Sequence, residues 1–132
     1  MSGVSAVALP LAQESAGIST IARIDVHKLV KSYGATVALR GVEASFHANR
    51  LTLVEGANGS GKSTLLGILG TLIKPTAGTV DYVPIGLDRS RVRGHIGWLS
   101  HETLAYPDLT GRQNIELFAR LCGLDVAPDW AK

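Results

Sequence analysis

The sequence has 132 residues, with 13 Lys and Arg against 11 Asp and Glu and a formal net charge of +2. That length holds one domain with a real core, and interspersed charges of both signs leave no footprint for nucleic acid. The single cysteine, Cys122, excludes an internal disulfide and fits a reducing compartment. No apolar run approaches the ~18 residues needed to span a bilayer.

In chain order, residues 1–20 are small, sparsely charged and without clear period, which predicts a disordered or loosely attached leader. No positive residue precedes Pro10, and Pro10 interrupts the only apolar stretch, so this is a poor secretion signal. From Ile21 to Val30, apolar and polar residues partly alternate, as in a half-buried strand. Ser32-Tyr33-Gly34 reads as a turn. Val37–Leu39 and Val42–Phe46 read as short strands with a break at Gly41, and Asn49-Arg50 as the next turn.

Leu51–Glu55 is strand-like and feeds Gly56-Ala57-Asn58-Gly59-Ser60-Gly61-Lys62-Ser63, which fits G-x-x-x-x-G-K-[ST]. A helix should start at Lys62 and end near Gly70. This strand–loop–helix setting turns the pattern into a phosphate-binding site. Gly56, Gly59 and Gly61 allow positive φ and close approach of phosphate oxygens to the backbone. The loop N–H groups and the helix N-terminus then form an anion nest. Lys62 is expected to reach the β/γ-phosphates, and the Ser63 hydroxyl to hold Mg²⁺.

Lys74–Gly78 reads as a loop and Thr79–Val83 as a strand. Residues 84–94 are irregular, and Arg89, Arg91 and Arg93 at alternate positions fit a solvated strand face. Ile96–Leu99 reads as a buried strand and Tyr106–Leu109 as a loop. Thr110-Gly111-Arg112-Gln113 has the capping-box form. The helix that follows carries Ile115, Phe118, Ala119 and Cys122 at helical spacing, with Leu117, Leu121 and Leu124 widening a stripe expected to be core. His27, His47 and His95 have no partner pattern.

Leu29–Gly34, Ala38–Val42, the phosphate loop through Leu66, Lys74–Val80, Ile96–His101 and Tyr106–Thr110 together resemble the opening of an ATP-binding cassette (ABC) domain, in order and spacing from about residue 21 to the end. The resemblance implies an α/β P-loop NTPase fold, an antiparallel β layer on a RecA-like core, with residues 21–132 as the N-terminal part of an ABC nucleotide-binding domain. It places ATP and Mg on Gly56, Asn58, Gly59, Ser60, Gly61, Lys62, Ser63 and Thr64, and adenine on the ring of Tyr33. It also places the strands flanking the phosphate-loop strand later in the family's chains, so that Leu51 to Val54 would present an open apolar edge.

The family normally has a glutamine where this chain has His101, a position that approaches Mg²⁺ and the γ-phosphate. The imidazole is shorter and titrates near physiological pH; Glu102 stands beside it. Ser100-His101-Glu102 is similar to ATP-binding subunits of haem-exporter type. The family's signature segment, its Asp-Glu-ended (Walker B) strand and its switch histidine have no counterpart in the sequence, which reads as truncated before them. The implied whole protein is a cytoplasmic ATPase on the inner membrane face. Its partners are a transmembrane permease subunit and a second cassette, and it couples ATP hydrolysis to transport. A non-catalytic nucleotide-binding or interaction fragment, and a soluble cassette ATPase outside transport, are the competing readings; on every reading, these residues alone are expected not to hydrolyse ATP.

Overall fold

The computed structural model describes residues 5–10, 21–99, 105–121 and 123. The chain forms two compact units, Met1–Gly97 and Trp98–Lys132.

In the first unit, β2 (Arg23–Tyr33) lies between β3 (Thr36–His47) and β5 (Ala77–Val83) in one antiparallel sheet. The buried residues of β2 are Val26 and Leu29, three apart, which a regular strand would place on opposite faces. A register shift between them, with Lys28 at φ 46°, inserts a bulge that turns both toward the same core. The opposing strand accommodates it through Gly78, at φ 82°, where a Cβ would collide with the carbonyl oxygens of His27 and Lys28. Gly41, expected to break the chain, has φ 75° and lies inside a continuous β3.

The core forms where α1 (Lys62–Leu69) lays Leu65 and Ile68, one helical turn apart, against Val26, Leu29 and Leu39. Phe46, Val54 and Val80 pack around them. The C-terminus of α1 closes as a Schellman motif: the N–H of Leu72 reaches Gly67 O (2.8 Å) and that of Thr71 reaches Ile68 O (3.0 Å), with Thr71 at φ 62°. Two side chains fasten this end further. The buried Tyr82 hydroxyl donates to Leu69 O (2.8 Å), and burial pushes its phenol up from the usual 10.0. The Arg89 guanidinium donates to Thr71 O (2.6 Å) and Ile73 O (2.9 Å).

Arg89 therefore has a structural duty, and the arginines are not a strand face. Asp88 accepts from the N–H of Ser90 (2.9 Å) and starts a short helix, α2 (Arg89–Val92), followed by a 3-10 turn at Arg93–His95. Ile96–Leu99 is not a strand, and Leu99 is 96% exposed. Its apolar, β-prone residues have no neighbouring strand to pair with among the described residues, and propensity alone does not make a strand.

The phosphate-loop strand, β4 (Arg50–Glu55), belongs to a second sheet, and its partner there is β1 (Ser5–Pro10). All six residues pair antiparallel, from Ser5 opposite Glu55 to Pro10 opposite Arg50. Residues 5–10 of the expected leader are thus a strand, and they cover one edge of Leu51 to Val54. Backbone ladders need no side-chain periodicity, which is why the composition of 1–20 concealed the strand.

In the second unit, α3 (Gly111–Leu121) begins at the expected capping box. Thr110 Oγ1 accepts from the N–H of Gln113 (3.3 Å), and Gln113 Oε1 accepts from the N–H of Thr110 (2.8 Å). Asn114, 7% exposed, binds the preceding loop at both ends of its amide. Its Oδ1 accepts from the N–H of Tyr106 (2.7 Å), and its Nδ2 donates to the carbonyls of Tyr106, Leu109 and Thr110 (3.0–3.1 Å). The apolar stripe of α3 is not core: Ile115, Phe118 and Leu121 are 50%, 41% and 71% exposed. Cys122 and Leu124 lie outside the residues whose side chains are described.

Candidate nucleotide-binding site

The phosphate loop is strung between two differently held anchors. Upstream is β4; downstream is α1, pinned to the core through Leu65 and Ile68. Gly56, Gly59 and Gly61 all take positive φ, as the motif required. Gly61 decides the loop's position. It caps α1 in the left-handed conformation (φ 97°, ψ 6°), and a Cβ there would lie 2.6 Å from Ala38 O and 2.8 Å from Leu39 Cδ2. Only glycine lets the loop press this closely on β3.

Residue 61 carries no side chain, so no side-chain cap covers the start of α1, and no acidic residue stands in its first turn. The first N–H groups of a helix have no acceptor within it. Here the first intrahelical bond runs from the N–H of Leu65 to Gly61 O (2.8 Å), leaving the N–H groups of Lys62, Ser63 and Thr64 for an outside acceptor. Above them lies a cavity of about 300 Å³ lined by Ala38, Asn58, Gly59, Gly61, Lys62, Ser63 and Thr64. The Lys62 ammonium is folded over the loop and donates to Gly56 O (2.7 Å) and Ala57 O (2.9 Å). Ser60 Oγ is shielded from solvent without a hydrogen-bond partner among the described residues. A buried unpartnered hydroxyl costs free energy until something bonds it.

These features fit a phosphate chain: a turn that only glycine allows, uncapped amides and an ammonium held by carbonyls that a phosphate oxygen can replace. The Ser63 hydroxyl at the cavity supplies an oxygen of the type Mg²⁺ takes. A larger cavity of about 320 Å³ is walled by Lys74–Val80, Tyr82 and Arg89. It lies away from this chemistry, and the Arg89 guanidinium beside it is engaged by backbone carbonyls.

Tyr33 ends β2 and does not line the loop cavity. Its ring is half exposed, with Lys31 Nζ 4.9 Å from the centroid, so cation–π contact occupies part of an otherwise open aromatic surface. Lys31 itself is steered there by donating to Lys74 O (2.9 Å). His101 and Glu102 lie outside the described residues. Sequence reasoning missed Ala38, a cavity wall; a small apolar residue in a strand carries no signal of its role.

A family profile described as ABC transporter matches residues 39–132. The chain belongs to the ABC transporter family. It is part of that family's nucleotide-binding cassette, with the P-loop fold and the ATPase lineage this implies. It is 33% identical over 123 residues to the pyoverdine export ATP-binding/permease protein PvdT of Pseudomonas syringae pv. tomato, covering 83% of this chain and 18% of the relative. It is 38% identical over 100 residues to the daunorubicin resistance ATP-binding protein DrrA3 of Streptomyces coeruleorubidus, covering 74% and 32%. Against the macrolide export protein MacB of Shigella flexneri the identity is 36% over 96 residues, covering 66% and 14%. Among solved structures, the dimeric bacterial ABC transporter cassette MJ0796 superposes with a TM-score of 0.60 at 27% identity, covering 80% of this chain and 50% of that one. The chain thus spans a third or less of the lengths of the three sequence relatives and half of that cassette. No helix among the described residues is long and apolar enough to cross a membrane.

Proposed function

We propose that this cassette portion binds Mg·ATP at the phosphate loop, as part of an ABC ATPase that couples ATP hydrolysis to transport. The observation that carries the reading is the uncapped start of α1 behind Gly61, opening on a cavity lined by Lys62, Ser63 and Thr64. The helix amides and loop N–H groups bind phosphate oxygens, and Lys62 exchanges its loop carbonyls for the β/γ-phosphates. Ser63 would hold Mg²⁺ brought with the nucleotide, and the ion would supply charge neutralisation at the phosphates. Asn58 and Thr64 complete the cavity wall, and Tyr33 offers a ring for adenine.

The export ATP-binding/permease relatives and the dimeric cassette support partnership with a transmembrane permease and a second cassette, at the cytoplasmic membrane face. His101 is proposed at the position that senses the γ-phosphate. The described residues supply positioning and charge but no carboxylate placed to activate water. Residues 1–132 by themselves are therefore proposed to bind nucleotide without appreciable turnover.

Titration with a fluorescent ATP analogue tests this. Loss of a charge-assisted contact in Lys62→Ala should weaken binding about ten- to a hundredfold, or roughly 1.5–3 kcal/mol. Equal affinity in a folded variant would remove the loop from nucleotide binding, and phosphate release above that of Lys62→Ala would overturn the absence of turnover.

A further inference from the structure

The strand that carries Tyr33 outruns one of its neighbours. On one side, β2 stays paired with β3 to its last residue, Tyr33 opposite Thr36. On the other, its last pair with β5 is Val30 opposite Ala77. Past that point the loop before β5 takes over with different groups. The N–H of Thr76 donates to Val30 O (2.8 Å), the N–H of Ser32 to Thr76 Oγ1 (3.0 Å), and Lys31 Nζ to Lys74 O (2.9 Å). This loop is a firm anchor, because the Arg89 guanidinium holds Ile73 O, one residue before Lys74, at 2.9 Å. The ammonium that Lys74 anchors also stands 4.9 Å from the centroid of the half-exposed Tyr33 ring, within cation–π range.

We propose that Lys31 is a positioning residue for the adenine subsite. Anchored on Lys74, it holds the Tyr33 ring in one setting and covers one face, so that the base stacks on the other. The inference rests on the reading of Tyr33 as the adenine platform. A half-exposed aromatic ring at a strand end would otherwise sample several rotamers, and ordering it at the moment of binding costs affinity. With Lys31 in place the ring is ordered before the nucleotide arrives. The effect belongs to the base and not to the phosphates, which bind at the loop after β4.

The test measures, by calorimetry on the whole chain, the affinities for Mg·ATP, Mg·ADP and Mg·triphosphate. Lys31→Met keeps the apolar stem and removes the ammonium; Lys31→Gln is a second neutral variant should the first not fold. ATP and ADP should bind about two- to tenfold more weakly, with triphosphate unchanged. Lys31→Arg keeps both a cation and a donor and should bind ATP within about twofold of the unmodified chain. In a Tyr33→Ala background, Lys31→Met should have no further effect on ATP, because there is no ring left to hold. A lysine that only supported the fold would weaken triphosphate together with ATP, and would still act without the ring.

Unchanged ATP affinity in Lys31→Met, while Tyr33→Ala weakens ATP, would overturn the role of Lys31 and leave Tyr33 as the platform. Equal losses for ATP and triphosphate would make Lys31 a charge contact to phosphate, and a further loss in the Tyr33→Ala background would make it a fold contact; either result overturns the proposal. If Tyr33→Ala itself leaves ATP affinity unchanged, the platform reading fails, and the role of Lys31 with it.

Discussion

The two long helices among the described residues, α1 and α3, are built in opposite ways. The N-terminus of α3 is closed by its own side chains: Thr110 and Gln113 satisfy each other's backbone, and Asn114 ties down the loop before it. The N-terminus of α1 has no side-chain cap. Their sides reverse the pattern, since α1 is buried through Leu65 and Ile68 while Ile115, Phe118 and Leu121 of α3 stay well exposed. A helix secured by its packing can leave its terminal amides to a ligand. A helix with little burial relies on its cap.

The sharpest way to break this contrast is to truncate one apolar residue in each helix. Leu65→Ala should cost about 2–5 kcal/mol, a buried leucine plus its cavity. Ile115→Ala, half exposed, should cost less than about 1 kcal/mol. Urea unfolding followed by circular dichroism compares them, and equal costs would mean that α3 is as buried as α1.

Next in size is Gly61→Ala. A side chain in the left-handed region costs about 1–2 kcal/mol, and the overlap with Ala38 O and Leu39 adds about 1–3 kcal/mol. The loop should lift from β3, lowering both the urea midpoint and nucleotide affinity. Retained affinity would show that the open helix start does not depend on this contact.

Asn114→Ala removes the four bonds that the Asn114 side chain makes to its loop. We expect a local loss of about 1–3 kcal/mol from the Tyr106 N–H and the carbonyls left behind. Faster exchange of the Tyr106 amide, with β2 and β3 unaffected, is the measurement; an unchanged rate would mean that the capping box holds the loop by itself.

The smallest effect concerns β2. The Ser45 hydroxyl, and after it the Arg23 guanidinium at 2.7 Å, hold the Asp25 carboxyl below its usual 3.8. A carboxyl depressed in the folded state stabilises above its unfolded value, and the benefit is lost as pH falls through the folded one. Between about pH 7 and about pH 2.5, the unmodified chain should therefore lose slightly more of its urea midpoint than Asp25→Asn. Parallel losses would dismiss the pair as a stabilising contact.

Much of the geometry of the phosphate loop and of the two helix starts was legible because it is local. The glycine spacing, the Lys62-Ser63 pair, the helix start at 62 and the Thr110–Gln113 box each depend on residues within a few positions of one another, and each stands where the pattern put it. Patterning also placed the strands of the antiparallel sheet to within a few residues. Long-range partnership was not legible. The bulge that turns both Val26 and Leu29 inward needs Gly78 on another strand. Ala38 matters only because Gly61 is folded onto it. Ile96–Leu99 has strand propensity but no strand beside it, and Ser5–Pro10 has little pattern yet pairs along its whole length. Composition and period determine what a segment can become; the backbone groups that find partners across the chain decide what it is, because an extended strand completes its hydrogen bonds only with another segment.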